Sequence, residues 1–320
     1  MKNNSSHSSY FHLALFTDMG SLRYLYFSLC FLIYLLINCA NVAIILTVCL
    51  ERSLHQPMYV FICCLSFNSL RGAAGFFPRF LSDLLSDTHF ISRLSCFVQV
   101  FVLYMYATGE MAILGIMAYD RFVAVCQPLR YRSKMTFRTV LRLIVLAELY
   151  PAFICSCCIS LTIRLPLCGI KVQRLFCTNW PLVRLSCVDT GVNNIAGLLA
   201  MVATIFIPLL FVLYSYLRIL LVSRRSSHEL RGKALQTCLP HIVTCVNYSV
   251  CFVGELLLNR LRDDEINPLI VVALSLEFLI IPPIVNPLVY GLKLPQIRTV
   301  EIGISILKVF SFERSELQKQ

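Results

Sequence analysis

The chain has 320 residues, of which 58% are hydrophobic and only 14% charged, with a formal net charge of +11. An ordinary soluble domain carries roughly a quarter charged residues, so a water-soluble globule is excluded. The same abundance of apolar side chains excludes a disordered chain.

A membrane-spanning helix needs about 20 mainly apolar residues. Seven such stretches occur, at about 24–49, 57–78, 95–119, 140–163, 194–222, 236–258 and 267–291. The second is the weakest, because Arg71 and Pro78 lie within or near it. The expected fold class is an all-α membrane protein, a seven-transmembrane helix bundle with a short cytosolic amphipathic helix. That last helix follows from Ile297, Val300, Ile304 and Leu307, which share one face at helical spacing. The expected division is an extracellular tail over 1–23, the bundle over 24–292 and a cytosolic tail over 293–320.

The first 23 residues hold a short apolar patch among Ser, Asn and His, and no cleavable signal pattern is visible in them. The first span is then expected to act as an uncleaved anchor. Asn3 and Asn4 each begin a glycosylation sequon, which has meaning only on a lumenal tail. With the N-terminus outside, the segments between spans and the tail place fourteen basic residues inside and ten outside, a modest positive-inside bias. The longest outer loop carries Cys168, Cys177 and Cys187, and Cys96 lies at the outer end of the third span. Four cysteines on an oxidising face allow two disulfides in three connectivities.

The third span ends in Met117-Ala118-Tyr119-Asp120-Arg121-Phe122-Val123-Ala124 and continues to Leu129-Arg130-Tyr131. An Asp-Arg pair at an interfacial helix end can lock as an ion pair and exchange partners. Taken alone, it reads equally as a pair that snorkels to the interface. It is accompanied, in order, by Asn41 on span one, by Leu54-His55-Gln56-Pro57-Met58-Tyr59 before span two, and by Ser215-Tyr216 on span five. Span six opens with Lys233-Ala234-Leu235-Gln236-Thr237-Cys238-Leu239-Pro240-His241, and span seven ends with Pro283-Ile284-Val285-Asn286-Pro287-Leu288-Val289-Tyr290. This series resembles the odorant receptor family of rhodopsin-like G-protein-coupled receptors along nearly the whole chain. Gly75-Phe76-Phe77-Pro78 and Leu84-Leu85-Ser86-Asp87 look like its fish-type branch.

The resemblance implies the disulfides Cys96–Cys177 and Cys168–Cys187. It implies a switch in which Asp120 holds Arg121, Tyr216 and Tyr290 swing in when Arg121 is released, and Asn286-Pro287 loosens the inner end of span seven. Lys233 and His241 belong to the span-six motif that joins this switch to the coupling surface. Implied partners are a small organic odorant, a stimulatory heterotrimeric G protein acting through cyclic AMP, and membrane lipids. The implied location is the plasma membrane, in sensory cilia. No cofactor, metal or nucleic acid is expected.

Counting turns from Arg121 places Leu103, Tyr104, Ala107 and Thr108 on the inward face of span three. From Pro208 the same count gives Ala200, Met201 and Thr204, on span six Tyr248, Phe252 and Val253, and on span seven Leu276 and Leu279. Mostly apolar, with a few hydroxyls, this set suits a small ligand with an apolar body. Each of these residues reads equally as ordinary helix packing. Leu103 stands where amine receptors carry an acid, which disfavours a simple biogenic amine. Glu255 and Glu277 lie toward the outer half and are within reach of the pocket mouth.

Ser69 replaces an acid that related receptors carry on span two, and Phe122 replaces the more usual tyrosine beside Arg121. Glu110 then needs a proton, water or a partner, since a bare charge inside a membrane is costly, and Arg71 is one candidate. A signalling-dead relative is the alternative these departures keep open. A transporter would show internal repeats, and none is seen. An enzyme would show a nucleophile with its base or a ligand cluster, and neither motif is found, so no catalysis is expected.

Overall fold

The computed structural model describes residues 9–16, 20–224, 228–260 and 267–293. Its elements run β1 (Tyr10–Leu13), α1 (Leu22–Leu50), α2 (Pro57–Leu85), β2 (Phe90–Ser92), α3 (Arg93–Cys126), α4 (Tyr131–Lys134), α5 (Phe137–Ile163), β3 (Lys171–Val172), α6 (Asn179–Val183), α7 (Gly191–Met201), a π turn (Val202–Phe206), α8 (Ile207–Arg224), α9 (His228–Arg260) and α10 (Pro268–Lys293). Spans one to four are α1, α2, α3 and α5. Span five is α7, the π turn and α8 together. Spans six and seven are α9 and α10. Among the described residues, six of these seven are long and apolar enough to cross a membrane, and α9 completes the bundle.

The helices start where their sequence provides caps. Ser92 accepts from the backbone N–H of Ser95 at the start of α3, and Thr136 accepts from Thr139 at the start of α5. Pro57 occupies the first turn of α2, where a missing N–H costs nothing. Gln127-Pro128 ends α3. The expected spans are shorter than the helices found. Helix α2 passes Pro78 and runs to Leu85, because hydropathy marks only the hydrocarbon-crossing portion of a helix that continues beyond it.

Span three is the axis of the bundle: it packs against spans two, four, five and six. Of its apolar stretch 72% is buried, against 17% in spans one and five, whose outward faces are left for lipid. Spans two and three approach closely at Gly72, where an added Cβ would lie 2.7 Å from the Tyr106 ring. Span seven packs on spans one, two and six.

One end of the bundle is closed by a small sheet of order β2-β1-β3. Strand β1 pairs antiparallel with β2 (Phe11 opposite Ile91) and parallel with β3 (Leu13 opposite Val172). The apolar patch in the leading tail is therefore a strand, with Phe11 and Leu13 buried beneath it. Disulfides Cys96–Cys177 and Cys168–Cys187, each with Cα atoms 5.5 Å apart, tie the loop before α7 to α3 and to itself. Asn3, Asn4 and the tail over 294–320, with its amphipathic pattern, lie outside the described residues.

Candidate functional site

Two adjoining cavities open beneath the disulfide end. The larger encloses about 80 Å³ and is walled by Tyr104 and Thr108 of α3, Ala200, Met201 and Thr204 of span five, and Phe252 of α9. The smaller encloses about 30 Å³ among Leu103, Tyr104, Ala107, Phe252, Glu255 and Phe278. Tyr104 and Phe252 border both, so they form the partition. Thr108 turns its hydroxyl to the Tyr104 carbonyl at 2.7 Å, and Thr204 does the same to Ala200 at 2.8 Å. Both hydroxyls thus satisfy themselves locally while keeping their lone pairs available.

The other residues singled out on spans six and seven sit elsewhere. Tyr248 is fully buried, donates to the Ala107 carbonyl at 2.7 Å and borders neither cavity. Leu279 is buried in the core, Leu276 packs against that core and Val253 is half-buried; none borders either cavity. Walls that helical counting did not reach are Ile154, Cys155 and Cys158 of span four, and Phe176, Thr178, Asn179 and Trp180 of the disulfide loop. The lone tryptophan, followed directly by Pro181-Leu182-Val183 in the loop, was the available signal.

Span five owes its shape to Pro208. The proline lacks an N–H, so the helix widens into a π turn just before it, and Ile207 N–H bonds to Val202 O. In that register the Ala203 carbonyl faces the proline nitrogen and has no backbone donor. The Tyr150 hydroxyl of span four supplies one at 3.0 Å. The widened turn brings the successive residues Thr204 and Ile205 both inside, against the larger cavity.

Midway down the bundle, Glu110 of span three accepts from Asn68 at 2.8 Å and from Asn286 at 2.6 Å, one bond to each carboxyl oxygen. Asn41 of span one donates to the Pro283 carbonyl of span seven at 3.0 Å. Arg71, one candidate for the partner of Glu110, is not that partner. Its guanidinium pairs instead with Glu148 of span four at 2.7 Å, while Asn68, one turn earlier on α2, takes the Glu110 carboxyl.

At the end opposite the disulfides, Asp120 is fully buried and holds Arg121 through two bonds of 2.6 and 3.1 Å. Its second oxygen accepts from the Tyr131 hydroxyl of α4 at 2.8 Å. Tyr216 of span five is hydrogen-bonded to Nδ1 of His241 of span six, and the two rings are tilted against each other. Tyr290 is buried nearby in the core, and Pro287 lies inside α10 one residue after Asn286. The side chain of Lys233 lies outside the described residues.

A family model described as "Olfactory receptor" matches residues 27–309. The chain belongs to the olfactory receptor family. Among its human relatives, Olfactory receptor 51E1 is 31% identical over 309 residues, covering 96% of this chain and 95% of that protein. Olfactory receptor 51D1 is 34% identical over 313 residues, covering 96% and 94%. Olfactory receptor 51L1 is 34% identical over 292 residues, covering 88% and 89%. The fold is similar to that in the crystal structure of squid rhodopsin, with a TM-score of 0.71 at 15% identity, covering 90% of this chain and 87% of that one. The receptor is accordingly a multi-pass plasma-membrane protein of the G-protein-coupled class, and it is not an enzyme.

Proposed function

We propose that this olfactory receptor takes a small organic odorant from the extracellular side and activates a stimulatory heterotrimeric G protein, raising cyclic AMP. The disulfide end and the tail carrying Asn3 and Asn4 face outward, and the Arg121 end faces the cytosol, in the membrane of sensory cilia. The odorant occupies the cavities at Tyr104, Thr108, Thr204 and Phe252. Leu103, Ala107, Ala200 and Met201 shape its apolar body. Tyr248, Val253, Leu276 and Leu279 act from behind, through packing.

The observation that carries this reading is the closed arginine at the end opposite the cavities. Arg121 is held by Asp120, and Asp120 by Tyr131, so neither side chain offers itself to a partner. Opening the end means breaking a pair that is largely out of water, which gives the bundle two distinct states. A ligand favours the open state only by binding it more tightly. Between the two ends, Glu110 joins spans two, three and seven, so a displacement of span seven at the cavities is transmitted to Asn286-Pro287. In the open state Tyr216 leaves His241 and, with Tyr290, props the cleft, and Lys233 joins the coupling surface. Arg130, Arg132 and Lys134 on the short α4 side of the bundle meet acidic headgroups and the G protein.

The test measures cyclic AMP in cells expressing the receptor or its Arg121→Ala variant at matched surface levels, across a panel of small odorants. A response that vanishes in the variant supports the reading. A response that survives removes Arg121 from the switch, and silence of a surface-exposed receptor across the panel favours a signalling-dead relative.

A further inference from the structure

The wall of the larger cavity is rich in hydrogen-bond acceptors. Thr108 and Thr204 each spend the hydroxyl proton on the carbonyl four residues back, so toward the cavity their oxygens accept. Asn193, on the same wall, directs an amide N–H to the Thr162 hydroxyl at 3.5 Å. The side-chain oxygen of Asn179 is buried at this wall and has no hydrogen-bond partner. Tyr104 stands beside it. The backbone N–H of Asn179 is directed at the Tyr104 hydroxyl oxygen, which leaves the phenol proton to be given to a ligand. The Trp180 indole N–H is a second donor on the wall. Asn179 is firmly placed. Two residues before it, Cys177 is bonded to Cys96, and the Cys177 N–H donates to Gln99 Oε1 at 3.0 Å. Asn179 itself opens α6, which packs on spans four and six.

We propose that the Asn179 side-chain oxygen selects the ligand by accepting a hydrogen bond from it, so that the ligands of this receptor are neutral alcohols with a short apolar body. The ligand hydroxyl donates to Asn179 Oδ1 and accepts from the Tyr104 hydroxyl. One oxygen atom performs both roles, which suits two partners that lie side by side. A buried acceptor left without a donor bears its full desolvation penalty. An ether or ketone that fills the cavity brings no donor, so it leaves Asn179 unpaired where an alcohol of the same size pairs it. A ligand that displaces solvent without reproducing its hydrogen bonds loses affinity. A carboxylate fares worse, because it brings only acceptors to a wall of acceptors. The volume of about 80 Å³ takes a small chain, which runs past Tyr104 and Phe252 toward the smaller cavity. The disulfide to Cys96 fixes the distance of Asn179 from span three, and a selecting group needs such a fixed support. This inference rests on the cavities being the odorant site.

The experiment uses the full receptor in nanodiscs and reads ligand-dependent thermal unfolding with hexan-1-ol, methyl pentyl ether and butyl methyl ketone. The three have equal numbers of heavy atoms, and only the first donates a hydrogen bond. Hexan-1-ol is expected to raise the midpoint of the wild type more than the other two. Asn179→Ala is expected to weaken hexan-1-ol by about tenfold, the scale of one hydrogen bond to a buried group, and to leave the ether unchanged. Asn179→Asp keeps an oxygen and removes the amide nitrogen, so it is expected to retain hexan-1-ol. Ser186→Ala, in the same loop but bordering neither cavity, is expected to leave all three ligands unaffected. Should the variants at position 179 fail to fold, the ranking of the three ligands on the wild type still decides. Failure of hexan-1-ol to stabilise the wild type, or equal stabilisation by the ether or ketone, overturns the proposal. So does undiminished hexan-1-ol binding in Asn179→Ala, or a loss in Asn179→Asp as large as in Asn179→Ala, which shows the nitrogen facing the ligand. Binding is read without a G protein, so these failures are distinct from failure of the signalling role, which the Arg121→Ala comparison reads.

Discussion

The side-chain amide of Asn286 donates to a carboxyl oxygen of Glu110 at 2.6 Å, linking span seven to span three across the buried centre of the bundle. Asn68 holds the second oxygen, so one carboxyl group fastens three helices. Asn286→Ala is expected to free the Pro287 segment from span three. The cost is about 1–2 kcal/mol, the upper range for a hydrogen bond between membrane helices. A lower unfolding midpoint of the purified receptor, together with raised basal nucleotide exchange, is the expected result. An unchanged midpoint shows that the bond contributes nothing net.

Arg71 and Glu148 form a second intramembrane link, this time between spans two and four and partly open to lipid. Arg71 also lies over the Phe67 ring at 5.7 Å. Removing one partner leaves an uncompensated charge in a medium that solvates it poorly, whereas removing both leaves none. Arg71→Leu and Glu148→Leu are each expected to lower surface expression and thermal stability more than the double substitution does. Additive losses in the double variant refute the pairing as an energetic unit.

The bundle was legible in the sequence because hydropathy, spacing and motif order all report on the same helices. The Asp120–Arg121 pair is contiguous in sequence, so it follows from chain position, whereas the disulfide pairing, between cysteines 81 and 19 residues apart, was open in the spacing and came from the family resemblance. The cavity walls were legible where straight helical counting applies, as for Tyr104 and Thr108 on span three. They were not legible on span four, whose Cys155 and Cys158 read only as small hydrophobes, nor in the loop, where Phe176 and Trp180 are placed by Cys177 and by α6 rather than by any period. The partner of Arg71 escaped for a related reason. Residue spacing fixes a helical face, but which neighbour that face meets depends on how the helices are arranged around span three.

The sheet at the disulfide end adds a pH dependence through His89. Its ring stacks on Phe16 with centroids 4.6 Å apart, and its backbone carbonyl accepts from Leu13 at 2.9 Å. Burial, the largest cause, lowers the His89 pKa below the ordinary imidazole value. His12 and Arg79 push the same way, while Asp83 and Asp87 oppose. A depressed folded-state value means that the neutral ring stabilises the packing. That contribution is complete above the ordinary value of about 6.5 and is lost as pH falls through the lower folded-state value. Amide exchange across Tyr10–Leu13 is therefore expected to quicken, relative to its intrinsic rate, on acidification. His89→Phe is expected to abolish the change; a strand equally protected at both pH values, or an effect unaltered by the substitution, rules His89 out.

Tyr150 and the Ala203 carbonyl offer the sharpest separation of a single bond from its surroundings. The π turn exists because Pro208 cannot donate, and the turn leaves Ala203 O directed at the proline. Tyr150 is otherwise largely lipid-facing, with 38% of its surface exposed, so its ring contributes little that phenylalanine would not. Tyr150→Phe deletes only the donor. The unpaired carbonyl in a low-dielectric setting is expected to cost about 1 kcal/mol. Because the widened turn carries Thr204 and Ile205 into the larger cavity, its loosening is also expected to weaken ligands that fill that cavity. Replacing Pro208 by alanine restores an N–H that the helix itself can use. In the Pro208→Ala background, Tyr150→Phe is then expected to lose most of its effect on the unfolding midpoint. An equal loss in both backgrounds shows that the hydroxyl acts through something other than the carbonyl that the proline leaves unpaired.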